Sequence, residues 1–455
     1  MSQTDLLSSL DDPNQDGMAG DRDSTRNLQY PGQKAANADN TRLLFLGGTG
    51  SWFHEVEDAV LELRPVWSVQ HVTDPGQVPG LLSSAHCDTL ILHKDIVDGR
   101  KLIASMAEQF PHLHAFSLSE DVNRATPAPV APPAADNVPA ANSCVETAEN
   151  VVRTVSLHQW TSQPSIRSLL GQIKKLPTLP RLHTQVTHEL QSPNGSLEMV
   201  SQFVRQDPIM AAKFLQVINS AFFGLAYTIS DPGEAVMFLG SVRTRALILM
   251  AGVFSQFDEI RCPGFSAEQI WQHSLQVARL AQGVALVQTE DPKLAEMAFT
   301  AGLLHDIGKL VLAGNVPEKY ATAHKLQQFK KIQQSEAELT ILNTTHAELG
   351  ACLLGSWRLP LRIVEAVAWH HCPSKSYDPG FSVLTAVHAG NALAHEIAGA
   401  NKGIGLPSRF DIYYLAKLGM AGRTNVWRQA CEVPIRDRET TFEDTVRQRS
   451  EAKDN

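Results

Sequence analysis

The stretch that decides the fold reads AGLLHDIGKL, from residue 301 to residue 310. Apolar or small residues recur around it at helical spacing: Met297, Ala301, Leu304, Gly308 and Val311. This spacing predicts a helix with one face in a core. His305 and Asp306 are adjacent, so on a regular helix their side chains leave the axis about 100° apart. Such a doublet is costly to bury unless it is paired or binds a metal, although it can also cap a turn.

Further histidines lie at or near the apolar faces of other predicted helices. They are His273, His346, His370 and His371. His346 opens its helix directly after Thr345, and the spacing from Thr345 to Glu348 is that of a capping box. A single buried histidine usually has a structural role, but several together favour a converging polar site.

A series of short motifs precedes this half of the chain. It comprises LPTLP at 176–180, RQDP at 205–208, INSAFFG at 218–224 and EAVMFLG at 234–240. Each motif also has a structural interpretation. Asp207 and Pro208 can open a helix, Asn219 can cap or turn the chain, and Gly240 can end a helix.

The motif series and the histidine-bearing half together resemble the HDOD domain, over about residues 166–400. The resemblance implies an all-helical domain related to the HD and HD-GYP metal-dependent phosphohydrolases. The relationship to these enzymes allows a divalent metal, namely iron, manganese or zinc, as a cofactor, but does not require one. The candidate metal ligands that it implies are His273, His305, Asp306, His346, His370 and His371.

Two positions depart from the pattern of the catalytic relatives. Asn391 occupies the position of their last metal-binding aspartate, and a neutral amide oxygen is a weaker ligand than a carboxylate. The sequence after His371 is CPSK, with no Gly-Tyr-Pro. Lys309, one turn after His305, could contact a phosphate or simply be a solvated helix residue.

Residues 41–160 predict a small parallel α/β domain. Strand candidates are 42–46, 66–72, 88–92 and 114–118, and helical stretches are 53–63, 77–82, 100–109 and 146–160. Alternation of strands and helices at this pitch is typical of a parallel sheet.

This α/β domain resembles the flavodoxin-like receiver domain of response regulators in two-component systems. A working receiver holds magnesium with an acidic pair after its first strand and accepts phosphate on an aspartate after its third strand. Here Gly47 and Gly48 follow the first strand, and His93 occupies the phosphoacceptor position, with Asp95 two positions late. Residues 142–144, near the expected lysine position, contain no lysine. The departures favour a pseudo-receiver used for docking or dimerisation over a phosphorylated input domain.

The HDOD resemblance implies a bacterial signal-transduction protein. The first hypothesis is a non-catalytic output or protein-interaction module, whose partners are a kinase, a cyclic-dinucleotide enzyme or another regulator. The alternative is a metal-dependent phosphohydrolase or phosphodiesterase in which the metal activates water. A homodimer is compatible with a two-domain regulator, but no sequence feature decides it.

Composition bounds the remaining possibilities. A chain of 455 residues is too long for a single compact core, so two or more domains are expected. Its composition, 43% hydrophobic and 19% charged, is typical of globular protein. Residues 1–40 are polar and acidic, which predicts disorder, and 122–142 contain five prolines, which predicts a linker or loop insertion. The sequence of residues 401–455 predicts a C-terminal tail that is helical and charged.

The charge and the apolar runs of the chain bear on where it is located and on whether it binds nucleic acid. The N-terminus lacks an apolar signal core, and the longest apolar run, near 246–254, is too short to span a bilayer, so a cytoplasmic location is expected. The six scattered cysteines favour reduced thiols. A net charge of −9 without a long basic run argues against a nucleic-acid groove.

Overall fold

A computed structural model gives the fold as a small parallel α/β domain followed by a helical domain. It describes residues 41–85, 87–110, 113–119, 137–139, 143–161, 163–219, 225, 227–257, 260–376, 378, 380–401 and 410–432. The expected disorder of residues 1–40 and most of the expected insertion 122–142 lie outside these residues, as do residues 433–455.

The sheet contains five parallel strands in the order β2-β1-β3-β4-β5. The strands are β1 (Arg42–Leu46), β2 (Ser68–Val72), β3 (Thr89–Leu92), β4 (His114–Ser119) and β5 (Asn137–Pro139). The order 2-1-3-4-5 is that of flavodoxin-like folds, so the predicted α/β class is confirmed.

Both faces of the sheet are covered by helices. They are α1 (Gly50–Leu63), α2 (Val78–Ala85), α3 (Gly99–Gln109) and α4 (Cys144–Thr161). Side chains of β1 alternate between the faces: Leu43 and Phe45 pack with α1 and α4, whereas Leu44 and Leu46 pack with α2 and α3. Burial on both sides explains why residues 43–46 of β1 are all apolar rather than alternating with polar residues.

Strand β5 lies inside residues 122–142, the stretch predicted to be a linker or loop insertion. Asn137–Pro139 pairs in parallel with β4, within the proline-rich stretch. Val138 is fully buried and packs with the residues of α4. A three-residue strand with one buried side chain has no detectable periodicity, so sequence reasoning could not separate it from its surroundings.

The helical domain is built from fifteen described helices around one hydrophobic core. They are α5 (Pro164–Leu170), α6 (Arg181–Gln191), α7 (Leu197–Gln206), α8 (Pro208–Ile218), α9 (Pro232–Phe254), α10 (Ala267–Thr289), α11 (Pro292–Leu304), α12 (Ile307–Asn315), α13 (Pro317–Lys330), α14 (Gln334–Leu342), α15 (His346–Ser356), α16 (Leu361–Trp369), α17 (Val383–Asn401), α18 (Ile412–Lys417) and α19 (Thr424–Glu432). Trp427 of α19 is fully buried, so residues 410–432 belong to this core, although the sequence analysis ends the domain near residue 400.

The motifs of the N-terminal half have clear structural roles. Asp207 caps α8 by accepting a hydrogen bond from the backbone of Met210, with Pro208 at the first helical position. The Asn219 side chain pairs with both backbone groups of Ile229. Gly240 has a φ of 74° and breaks α9 into two segments.

Helix α9 continues into a short turn, and the stretch Pro232–Phe257 is long and apolar enough to cross a membrane by length and composition. Its most apolar window has a mean hydropathy of 1.5, and 56% of that window is buried inside the protein. The core helix of a globular domain has the same composition.

The predicted helix through residues 297–311 is in fact two helices. Helix α11 ends at Leu304 and α12 begins at Ile307, with Asp306 at φ −101° and ψ 8° between them. The expectation of one continuous helix was therefore wrong, because apolar spacing is nearly the same on both sides of a short break. Gly308 then lies directly against the backbone of His346, where a Cβ would overlap the carbonyl oxygen.

Gly308→Ala should destabilise the protein by about 1–3 kcal/mol, because α12 and α15 would have to move apart. Gly422→Ala is the matched control, since a Cβ there meets nothing within 4 Å. Urea unfolding of both variants measures the difference. Equal stability of the two variants would contradict the close approach at Gly308.

Candidate metal centre

Four parts of the helical domain bring histidines to one buried point. His273 comes from α10, and the His305–Asp306 doublet comes from the break between α11 and α12. His346 begins α15, and His370 and His371 directly follow α16. His305, Asp306 and His346 are 0% exposed and His370 is 1% exposed. The residues that the sequence analysis selected thus lie together.

Asp306 is at the centre of this cluster. Its Oδ1 lies 3.2 Å from Nε2 of His346 and 4.0 Å from Nε2 of His370. Its Oδ2 lies 3.3 Å from Nε2 of His305 and 3.7 Å from Nε2 of His273. The break in the helix lets the carboxylate face histidines on both sides.

The outer nitrogens of three imidazoles are held by acceptors. Nδ1 of His305 donates to the carbonyl of Gly302 at 2.7 Å, and Nδ1 of His370 donates to the carbonyl of Val367 at 2.8 Å. Each acceptor is three residues earlier in the chain. With Nδ1 carrying the hydrogen, Nε2 presents a lone pair toward Asp306.

Nδ1 of His346 is held instead by the carboxylate of Glu338, at 2.6 Å. The same Glu338 oxygen accepts the backbone N–H of His346 at 2.8 Å. A carboxylate behind an imidazole is the usual outer partner of a metal-binding histidine, because it fixes the ring and raises its basicity.

Several inward-facing atoms lack a hydrogen-bond partner among the described residues. They are Nε2 of His305, Nε2 of His370 and Oδ1 of Asp306. Lone pairs of two imidazoles and a carboxylate therefore face one another in a buried site, which is unfavourable without a cation between them. The donor set of nitrogen and carboxylate oxygen suits a divalent transition metal.

Two overlapping groups of side chains could hold a metal ion. Asp306 joins His346, His370 and His371 in the first group, and joins His273 and His305 in the second. Within each group the ligand atoms lie within 4.8 Å of one another. The shared Asp306 connects the two groups.

Burial and neighbouring charges set the protonation of the cluster. Burial opposes ionisation of Asp306, but the charges of His305 and Lys309 outweigh it and hold the pKa of Asp306 well below its usual range. Burial, followed by the neighbouring histidines, lowers the pKa of His370 and His371 well below the usual value. Both imidazole rings are therefore neutral at neutral pH, each with one N–H donor and one nitrogen that can accept or bind a metal.

His346 behaves differently. Burial opposes its protonation, but Glu338 and Asp306 raise the pKa of His346 above the usual value. A cation bound at Nε2 would take the place of that proton, so metal binding at this residue would release a proton.

Lys309 and Asn391 are both engaged with the cluster. Nζ of Lys309 lies 2.7 Å from Oδ2 of Asp306, and the lysine side chain is only 13% exposed. Lys309 is therefore neither a solvated helix residue nor a free phosphate contact in this arrangement. The Oδ1 atom of Asn391 lies 3.1 Å from Nε2 of His273 and accepts its hydrogen. This bond occupies the nitrogen that His273 would otherwise present to a metal.

Sequence reasoning missed two residues that orient the ligands. Glu338 is fully buried and lies on the same helix face as Leu342, so a charged residue at an apolar position was the available sign. His388 donates from Nδ1 to the carbonyl of His370 at 2.8 Å and accepts the backbone N–H of Asp411 at 2.8 Å. It connects the end of α16 to the start of α18.

Access to the cluster is narrow. A cleft lined by six residues reaches one side of the histidines and encloses about 220 Å³, its open mouth included. The lining residues are Gln333, His370, His371, His388, Asn391 and Ala392.

Residues 176–373 match the family model of the HDOD domain. The chain contains an HDOD domain. The match falls within residues 166–400 and covers the His305–Asp306 doublet, His346, His370 and His371. The HDOD prediction is confirmed for this part of the chain.

Two curated relatives are similar over this part of the chain. An uncharacterised protein of Treponema pallidum (strain Nichols) is 25% identical over 224 residues, which are 49% of this chain and 42% of that protein. Ribonuclease Y of Thermus thermophilus is 25% identical over 203 residues, 45% of this chain and 29% of the enzyme. The chain thus spans less than half the length of either relative.

Solved structures give distant likenesses of fold. An HDOD domain protein with unknown function from Geobacter sulfurreducens is 22% identical, with a TM-score of 0.47 over 61% of this chain and 93% of that chain. A protein of Shewanella amazonensis SB2B, provisionally named a phosphohydrolase, is 23% identical, with a TM-score of 0.45. The match covers 60% of this chain and 94% of that chain.

Purified protein should contain at least about one divalent transition-metal ion per chain, measured by elemental analysis. Asp306→Ala and His370→Ala should each reduce the metal content on the order of tenfold or more, because each removes an inward-facing ligand atom. His188→Ala, which changes an exposed histidine, is the matched control. Equal metal content in all four proteins would argue against the cluster as the binding site.

Glu338→Gln should weaken metal binding by about 10- to 100-fold, because the neutral amide holds and polarises His346 less strongly. Competition with a chromogenic chelator measures the affinity. Glu336→Gln, on the same helix but without a contact to the cluster histidines, should keep the wild-type affinity. The idea fails if the two variants bind metal equally.

Proposed function

We propose that this chain is a regulatory protein whose HDOD domain is a non-catalytic output module stabilised by a bound metal. One observation carries the proposal: the central ligand residues are packed into the core, with His305, Asp306 and His346 0% exposed and His370 1% exposed. In this arrangement, side chains buried to this degree are closed off from a substrate as large as a phosphodiester.

The residues that would hold the metal are His305, Asp306, His346 and His370, with His371 and His273 beside them. Iron, manganese and zinc all accept this donor set. A bound ion would supply positive charge to the facing lone pairs. The ligands come from the α11–α12 break, α15 and α16, so the chain itself would gain a cross-link between these elements. Proteins bind metals in this structural way when the ligand atoms are closed off from solvent.

A metal-dependent phosphohydrolase is the second candidate, and the unpartnered atoms of His305, Asp306 and His370 favour it. A bound metal would then supply an activated water. The chain's own residues oppose this use. Lys309 is paired with Asp306 and is not directed to a substrate, and Asn391 holds the nitrogen of His273.

We further propose that the α/β domain is a receiver-like domain without phosphotransfer chemistry. Its strand order supports this, and so does the edge at the carboxyl ends of β1 and β3. There His93 pairs with Asp95 at 2.7 Å, and Asp95 also accepts the backbone N–H of Gly48 at 3.2 Å. The single carboxylate is already engaged, and Gly47 and Gly48 stand where magnesium ligands would be needed. Its partners would be signalling proteins such as a kinase, a cyclic-dinucleotide enzyme or another regulator.

Hydrolysis of bis(4-nitrophenyl) phosphate by the metal-loaded full chain tests the proposal. Wild-type protein should turn over this generic phosphodiester no faster than the His305→Ala and Asp306→Ala variants, while losing thermal stability when a chelator removes the metal. The His188→Ala variant controls for contaminating activity. Turnover that is present in the wild type and in His188→Ala, and absent in both cluster variants, would establish the phosphohydrolase instead.

A further inference from the structure

Helix α4 belongs to both domains. Val151, Val152 and Val155 pack on the sheet, whereas Leu157 and Trp160 are part of the core of the helical domain. Since α4 has two buried faces, any movement of the α/β domain must act on the helical domain through it.

A buried ion triad joins the two domains through α4. Nη1 of Arg153 lies 2.5 Å from Oε2 of Glu365 on α16, and Nη2 of Arg153 pairs with Oδ1 of Asp378. The side chains of all three residues are less than a tenth exposed. Arg153 is thus the one described cation in direct contact with two buried carboxylates of the other domain.

Further contacts extend the joint along both helices. Arg362 of α16 pairs with Glu149 of α4 at 3.0 Å. At the other end, the ring centroids of Trp160 and Trp369 are 5.6 Å apart, and Lys375 lies over the Trp160 ring. The α4 contact therefore follows α16 to its last residue.

Helix α16 carries the metal-centre histidines at its end. Glu365 lies five residues before His370, and Trp369 lies directly before it. Within the same helix, Val367 provides the carbonyl that orients the His370 ring. The segment held by α4 is therefore the segment that positions His370.

The triad is not a fully satisfied interaction. Glu365, Asp378 and, at 3.6 Å, Glu149 share one guanidinium. Among the described residues, Nε of Arg153 and Oδ2 of Asp378 have no hydrogen-bond partner. A buried ion pair of this kind contributes little net stability, since desolvation offsets much of its attraction. Polar interfaces between domains separate more readily than apolar ones. The joint is therefore suited to opening.

We propose that α4 is a releasable clamp on α16, closed by the Arg153–Glu365–Asp378 triad. When the clamp is closed, the α/β domain holds α16 and the backbone that orients His370. When a partner of the α/β domain draws α4 away, the two carboxylates lose their counter-ion and α16 loosens. The clamp itself does not depend on a bound metal. The expected loss of metal affinity when α16 loosens rests on the proposed metal centre.

Hydrogen–deuterium exchange of the full chain tests the clamp without any metal. In Arg153→Met, peptides covering α16 should exchange on the order of tenfold faster than in the wild type, because removing one partner leaves buried charges unpaired. Peptides from β1 and α10 should be unchanged and report that both domains remain folded. Arg205→Met, which breaks the exposed Arg205–Asp231 pair elsewhere in the helical domain, is the control.

Arg153→Lys covers the case in which Arg153→Met does not fold. Lysine keeps the charge but cannot span both carboxylates with a planar fork, so a smaller rise confined to α16 is expected. Unchanged α16 exchange in every folded variant would overturn the clamp. Chelator competition then measures metal affinity, which should fall in Arg153→Met and not in Arg205→Met. A chain that binds no metal would refute the proposed centre and leave the exchange result intact.

Discussion

The structure of the helical domain depends on one buried carboxylate. Asp306 is fully buried, and an isolated charge in such a place would cost several kcal/mol or more. Part of this cost is offset by Lys309, whose Nζ lies 2.7 Å from Oδ2, and by His346, whose pKa is raised beside Asp306. Nitrogens of His273, His305 and His370 lie within 4.0 Å of the two carboxylate oxygens. The helix break at the doublet and the missing side chain of Gly308 allow this arrangement, because they bring α15 against α12.

The second layer of contacts makes the centre rigid before anything binds. Backbone carbonyls hold His305 and His370, Glu338 holds His346, and His388 ties the end of α16 to α18. Groups fixed in this way cannot turn away from one another, so their lone pairs remain directed inward. The fixed rings and the burial of the ligand residues support the proposed structural metal over a site that exchanges substrate.

The α/β domain and the helical domain share a helix and not merely a linker. The face of α4 toward the sheet consists of valines, but its face toward the helical domain carries Arg153 among apolar residues. A permanent joint could use apolar residues throughout at no loss of stability. The buried charges are therefore consistent with the proposed clamp, a contact that opens and closes.

The sequence by itself determined the two domain classes, the HDOD resemblance of residues 176–373 and the candidate histidines, because apolar periodicity and short motifs are local properties. It also placed the capping box at Thr345 and Glu348, which the structure contains. Only the tertiary structure decided that Glu338 and His388 orient the cluster, that Lys309 pairs with Asp306, and that Arg153 joins the domains. These contacts connect residues far apart in the chain or depend on a local break in the helix. The spacing of residues within one segment cannot predict them.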